Sequence, residues 1–321
     1  MKYLGSWTRR LCLLLLLGYC ASAAAEWTPN RPIRLLVPYA VGGSGDIGLR
    51  IISDKLSAEI GQPLILENKG GAGGVIGTEE GSRAPADGYT WILGSDAPFT
   101  IIPHLHKVRY DPLKDFEPLG LIASLPLVVV VNPKLPVHDM KELVALGKKR
   151  QLVLSSNGNG SSAHLAGELL KRETGIDLLH VPYTGIAQAV TDVIGGQVDM
   201  TISSVGTVAQ HVKSGRLRAL AITLPVKVSS LPGVPSLADQ GLSNVEMSVW
   251  IGLLAPAGTP REVADRVSQA LTKVLADPEV RKRFDELSYV PGGGSPSVLS
   301  DRIKADDAKF GKLIQDANIK E

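Results

Sequence analysis

The chain has 321 residues, with 34 Lys+Arg against 32 Asp+Glu and two cysteines. At about 150 residues per domain this length fits two domains, and 44% hydrophobic with 21% charged residues is an ordinary globular composition without a disorder signature. A formal net charge of +2 supplies no long-range field for collecting nucleic acid or anionic membrane, so no nucleic-acid partner is expected.

Residues 1–25 read as a secretory signal peptide. Lys2, Arg9 and Arg10 form a basic start, residues 11–17 an apolar stretch, and Ala21-Ser22-Ala23-Ala24-Ala25 a small-residue cleavage zone. The uncharged run 11–25 is shorter than the roughly 18–20 residues needed to span a bilayer. Tyr19 is too bulky for a lipobox before Cys20, and Thr8-Arg9-Arg10 lacks the rest of a twin-arginine motif. Cleavage near Ala25 removes three basic residues, no acidic one, and both cysteines, Cys12 and Cys20. The mature chain then carries a charge near −1 and has no disulfide, thiolate nucleophile or cysteine metal ligand.

In chain order, an apolar strand at 33–37 runs into Pro38 and a glycine-rich loop. The spacing predicts a helix over 46–60 closed by Gly61, then a strand at 64–66, a helix at 74–84 and a strand at 89–93. A second block starts near Leu119. Its continuous apolar run 127–131, between Pro126 and Pro133, is expected of a strand buried on both faces. Strands at 152–154, 178–181, 200–202 and 217–223 alternate with helices at 139–149, 161–174 and 185–194. A loop at 231–235 follows, and the tail carries helices at 260–276, 278–287 and 296–317.

This alternation predicts an α/β protein with mostly parallel sheets and right-handed crossovers. The first block has three strands and needs the C-terminal segment to complete its core. Two lobes are therefore expected. Lobe 1 is discontinuous, 26–123 plus 224–321, lobe 2 spans 124–223, and the chain crosses near 120–125 and 223–226. The cleft between such lobes is the default ligand site, and the two crossings make a hinge.

Four loops lie at carboxyl ends of strands, where open α/β sheets bind ligands. They are Tyr39-Ala40-Val41-Gly42-Gly43-Ser44-Gly45-Asp46, Gly94-Ser95-Asp96-Ala97-Pro98, Asn157-Gly158-Asn159-Gly160-Ser161-Ser162-Ala163-His164 and Pro182-Tyr183-Thr184-Gly185. Glycine admits close backbone approach, and a following helix start presents free N–H groups to an anion. Taken singly, each loop also reads as an ordinary turn, with Asp46, Ser161 or Ser162 as a plain N-cap. None contains Arg or Lys, so an anion bound here is held by backbone N–H groups, hydroxyls and water. That favours a small carboxylate over a polyphosphate. Asp96 reads in two ways: it receives an ammonium or hydroxyl of the ligand or deters a second carboxylate, or else it caps the helix after Pro98 or faces water.

Enzyme readings are weaker. Gly71-Ala72-Gly73-Gly74-Val75-Ile76-Gly77 imitates a dinucleotide fingerprint, but its third glycine falls one residue late. Ser161 or Ser162 with His164 suggests an exported serine hydrolase, yet no G-x-S-x-G elbow or third group is visible. His104 and His106 diverge on a helix and the other histidines are scattered, so neither a metal nor a cofactor is expected.

The sequence resembles the substrate-binding receptors of tripartite tricarboxylate transporters, the Bug-type receptors, along essentially the whole mature chain. The resemblance rests on Pro32-Ile33-Arg34-Leu35-Leu36-Val37-Pro38 with Gly42-Gly43 and Asp46, and on Glu67-Asn68-Lys69 with the following glycines. Ala86-Asp87-Gly88-Tyr89-Thr90, Tyr110-Asp111-Pro112-Leu113-Lys114-Asp115-Phe116, His180-Val181-Pro182-Tyr183-Thr184-Gly185 and Gly196-Gln197-Val198-Asp199 continue it. Gly215-Arg216-Leu217-Arg218-Ala219-Leu220-Ala221 and Leu254-Ala255-Pro256-Ala257-Gly258-Thr259-Pro260 complete it.

The resemblance implies a type II-like periplasmic binding-protein fold, no catalysis, and a monomer serving inner-membrane permease subunits. It implies a small carboxylate ligand, whether an organic acid, an amino acid or an aromatic acid. It places first-lobe contacts at Tyr39, Ala40, Val41, Gly42, Gly43, Ser95 and Asp96. The second-lobe contacts are Gly160, Ser161, Ser162, His164, Tyr183, Thr184 and Ser203. Two departures stand at the ligand end of lobe 1: Ala40-Val41 where the family has proline, and Asp96 where a small or hydroxyl residue is commoner. A sensor reporting to a signalling partner instead of a permease is the remaining alternative.

Overall fold

In the computed structural model, residues 27–293 and 295–319 are described; the expected signal peptide lies outside them. The first lobe's sheet runs β2-β1-β3-β9-β4, with the two-residue β10 (Val290–Pro291) antiparallel to β4 at its edge. Its parallel part is β1 (Ile33–Val37), β2 (Leu64–Asn68) and β3 (Thr90–Ser95). The missing centre is supplied from the far end of the chain. β9 (Ser248–Pro256) lies antiparallel to β3 and to β4 (Phe116–Val131), with Ile92 opposite Leu254 and Phe116 opposite Pro256.

Buried strands load opposite cores with alternate residues, because successive side chains point to opposite faces. Leu35, Trp91, Leu93, Ile251 and Leu253 pack toward α1 (Ser44–Ile60), α8 (Arg261–Ala276) and α9 (Pro278–Glu286). Leu36, Ile92, Trp250 and Leu254 pack on the other face, against Phe99, Phe116 and the first half of α10 (Pro296–Asp316).

The second sheet runs β6-β5-β7-β4, with β8 on the far side of β4. It contains β5 (Leu152–Ser156), β6 (Leu178–Pro182), β7 (Met200–Ser204) and β8 (Arg218–Ile222). The helices flanking it are α4 (Met140–Gly147), α5 (Ser162–Thr174), α6 (Ile186–Gly195) and α7 (Val205–Lys213). Of the earlier helices, α2 covers Val75–Ser82 and α3 the short Ile102–Leu105. Val129 and Val131 face one core and Val128 and Val130 the other, as a run buried on both faces requires.

β4 is one strand serving both sheets. Up to Pro126 it pairs with β9, and from Leu127 it pairs with β7 and β8. The first crossing is therefore at Pro126/Leu127. The chain recrosses at Met247/Ser248 rather than near 223–226, because residues 224–247 stay with the second core through Val228, Leu231, Leu237, Val245 and Met247. At the seam, the Thr223 hydroxyl is bonded to both Leu127 N–H (2.9 Å) and Leu127 C=O (3.0 Å). α10 spans both lobes: Leu299 and Ile303 pack in the first, Phe310, Leu313 and Ile314 in the second. Among the described residues no helix is long and apolar enough to cross a membrane.

Candidate ligand-binding cleft

Between the sheets lies a cleft of about 540 Å³, a size suited to one small molecule. Lobe 1 lines it with Tyr39, Ala40, Gly42, Gly43, Ser44, Gly45, Ser95, Asp96 and Ala97, backed by Val249 and Ile251 of β9. The second sheet and its loops contribute Leu127, Asn157, Ser161, Ser162, Ala163, Ile186, Ile202, Ser203, Ser204 and Thr207. The lining has no Lys, Arg or His.

Four helices begin at this cleft. α1 follows Gly43 and α6 follows Gly185, and neither glycine can supply a capping side chain. α7 follows Ser204, whose hydroxyl bonds Thr207 Oγ1 at 2.7 Å instead of capping the backbone. Only α5 is capped, by Ser161 Oγ accepting the His164 N–H at 3.2 Å. A helix start leaves its first N–H groups without intrahelical partners and carries the positive end of the dipole. The cleft thus presents donors from both lobes with no formal positive charge.

The first-lobe loop is shaped from behind. Gly42 sits at φ +85°, in the left-handed region that glycine tolerates. Its N–H donates to Asp46 Oδ2 at 2.9 Å. Arg50 Nε donates to the same oxygen, while Asn68 Nδ2 donates to Asp46 Oδ1 and to the Tyr39 carbonyl, at 2.9 and 3.0 Å. Burial pushes the Asp46 carboxyl up, but hydrogen bonds from Arg50, Asn68 and Gly42 outweigh it and hold the group near 2. Asp46 is therefore not a lining residue; it fixes the loop that lines. Arg50 and Asn68, absent from the sequence reading as site residues, complete this support. Tyr39 lines the cleft with its hydroxyl bonded to Ser95 Oγ. Burial raises its pKa far above the usual phenol, so it stays neutral.

Asp96 lies at the carboxyl end of β3, 2% exposed. Its Oδ2 accepts the Ser162 hydroxyl at 2.5 Å, a contact from the first lobe to the start of α5. Burial raises its pKa to about 6, opposed by the Ser162 hydrogen bond. On the second lobe, the buried Ser203 hydroxyl lines the cleft and has no hydrogen-bond partner.

Five other expected residues stand back from the lining. Val41 is exposed to solvent at 71%. Gly160 donates its N–H to His164 Nδ1 at 3.2 Å. The His164 ring stacks on His180 at 3.7 Å between centroids, and His180 in turn bonds Ser156 Oγ through Nε2 at 2.6 Å. Tyr183 turns its hydroxyl to Asp192 Oδ2 at 2.7 Å, and Thr184 is exposed. The serine–histidine pair of the hydrolase reading is not assembled: Ser162 bonds Asp96 and His164 bonds Gly160. The Gly71–Gly77 loop is also outside the lining; Gly74 packs beneath the Tyr39 ring.

Of the unforeseen lining residues, Val249 and Ile251 sit on β9, which was not read as a strand. Ser204 ends β7 and Thr207 lies in the first turn of α7, whose start is obscured by the β-branched Val205 and Thr207 around Gly206. Asn157 was within reach of sequence reasoning, standing in a loop already singled out.

The family model described as the tripartite tricarboxylate transporter family receptor matches residues 49–319. The chain belongs to that family. These are solute-binding receptors, not enzymes. A relative from Pseudomonas sp. strain P51, a UPF0065 protein in the tcbD-tcbE intergenic region, is 38% identical over 289 residues, covering 89% of this chain and 86% of its own. Protein BugT of Bordetella pertussis is 33% identical, with 94% of each chain covered. Among solved structures, one described as a periplasmic transporter is 38% identical with a TM-score of 0.80, covering 92% of this chain and 99% of its own. A Rhodopseudomonas palustris protein solved with adipate is 31% identical, with a TM-score of 0.79 and coverage of 91% and 99%. MatC from the same organism, with bound malate, is 27% identical, with a TM-score of 0.74 and coverage of 89% and 99%.

Proposed function

We propose that this receptor binds one small carboxylate-containing metabolite between its lobes, closes on it by hinge motion, and delivers it as a monomer to inner-membrane permease subunits. It works in the periplasm after loss of a leader cleaved near Ala25. The observation that carries the carboxylate reading is the convergence of four helix starts on a cleft without a cation. Micromolar binding needs about 8 kcal/mol. Charge-assisted hydrogen bonds of roughly 1.5–3 kcal/mol each and a helix terminus worth up to about 2 kcal/mol reach that sum with a few donors, after ordering costs. The adipate and malate held by family structures support the same chemistry.

Ligand contacts are assigned to the lining members of the expected set: Tyr39, Ala40, Gly42, Gly43, Ser95, Asp96, Ser161, Ser162 and Ser203. The lobe boundaries follow the strand crossings, with 127–247 forming lobe 2, the flanking segments lobe 1, and α10 bridging them. A thermal-shift screen of mono-, di- and tricarboxylates, amino acids and aromatic acids, followed by calorimetry, tests the reading. A carboxylate is expected to raise the melting temperature with no turnover. Stabilisation by uncharged solutes alone overturns it.

A further inference from the structure

Two observations in the cleft point to the far end of the ligand. Asp96 is its one carboxylate, and its bonded partners are neutral: the Ser162 hydroxyl and the Ala97 N–H. The nearby cation, Arg302 on α10, is engaged with Asp306 Oδ2 at 2.5 Å and with Ser248 Oγ at 3.0 Å. Across from it the Ser203 hydroxyl is buried with nothing to bond. One wall therefore offers an acceptor that takes only donors, and the rest offers donors that suit an oxyanion.

We propose that Asp96 sets the ligand class: a carboxylate whose other end carries a hydrogen-bond donor, hydroxyl or ammonium, which replaces the Ser162 hydroxyl at Asp96 while Ser203 and the helix starts take the carboxylate. A second carboxylate at that end is excluded. This inference rests on the carboxylate reading above. The physical basis is that two carboxylates a few ångströms apart cannot both stay ionised, whereas a donor to a buried carboxylate makes a charge-assisted bond. Burial raises the Asp96 pKa only to about 6, so at pH 7 and above it is mainly ionised and repels a second acid, a repulsion that weakens as the pH falls below 6.

The test is calorimetry on the full mature receptor with chain-matched acids. One set is butanoate, 4-hydroxybutanoate, 4-aminobutanoate and succinate. Another is hexanoate, 6-hydroxyhexanoate, 6-aminohexanoate and adipate, with their shorter and longer homologues. In the best-fitting set, the hydroxyl or ammonium member is expected to bind about 10–100-fold tighter than the dicarboxylate, and the comparison of the two identifies the donor. Asp96→Asn, and Asp96→Ser as a second variant, are expected to shrink that ratio at least tenfold, with a cooperative ligand-free melt as the fold control. Dicarboxylates binding the wild type as tightly as the donor-ended acids, or a ratio unmoved in both variants, overturns the inference and leaves the carboxylate reading standing. If no acid of any set binds a wild-type protein that melts cooperatively, the carboxylate reading falls first and this inference with it.

Discussion

Gly43 combines two requirements that a single substitution separates. It is the residue before α1, with ordinary extended φ and ψ of −67° and 158°, and an added Cβ would meet only the Ala40 carbonyl, at 3.4 Å. Aspartate is a favoured N-cap, so Gly43→Asp should keep or slightly raise thermal stability while placing a negative charge at the proposed anion site. Calorimetry is expected to show at least a hundredfold loss of affinity for the carboxylate, with Gly43→Ala losing far less. The acid response also has separable parts. Burial, then the neighbouring His180 and Lys171, push His164 down to about 4, and burial does the same to His180. The unfolded chain therefore binds more protons at these histidines between pH 6.5 and 4, and stability falls on acidification, by on the order of 3 kcal/mol for the stacked pair once their partial exposure to solvent is discounted. Asp96, raised to about 6, works in the opposite sense, because the folded state takes its proton first. Denaturant titrations from pH 7 to 4 should show a shallower loss in His180→Gln and a steeper one in Asp96→Asn than in the wild type.

At the scale of elements, the recrossing strand is tied down by α10. Arg302 donates to Asp306 and to Ser248, the first residue of β9, and Lys309 Nζ reaches the Glu246 carbonyl at 2.6 Å. Removing Arg302 leaves Asp306, 7% exposed, without its ion-pair partner. Arg302→Ala should cost about 2 kcal/mol, discounted from a fully buried pair, and Arg302→Ala with Asp306→Ala should recover part of it; chemical denaturation measures both. Elements with one clear period were legible in the sequence: the apolar run at Leu127–Val131, the amphipathic helices, and the loops after β1, β3 and β5. β9 was not, because Gly252 interrupts its apolar run; that glycine is there for packing, since a Cβ would lie 2.7 Å from Leu299. Local pattern cannot report that a strand near residue 250 sits between strands near 92 and 120, nor that Asp46 is consumed by Arg50 and Asn68 behind the loop. For the cleft, the loops were readable from turn chemistry. Which side of each loop lines the cleft depends on register across the lobes, and so His164 and Tyr183 stand back from the lining.

Across the whole molecule, the two lobes meet at the strand crossings, along α10, through the Asp96–Ser162, Ser230–Ser288 and Ser229–Asp285 hydrogen bonds, and where Ile101 packs into the second core. A ligand touching both walls favours the closed arrangement by its difference in affinity for the two states. Small-angle scattering is expected to show a smaller radius of gyration on saturation with a bound carboxylate; an unchanged radius would count against hinge closure. The placement of β9 also has a consequence for how the chain becomes this structure. Residues 127–247 contain every strand partner of β5, β6, β7 and β8, so that sheet can pair before α10 arrives to complete its core. The sheet of lobe 1 cannot: β3 and the first part of β4 are joined only through β9. The earliest strands to be made wait for one of the last, and such distant pairing slows folding. For the export proposed above, that order of assembly keeps the first lobe unfolded until the last strands have been made.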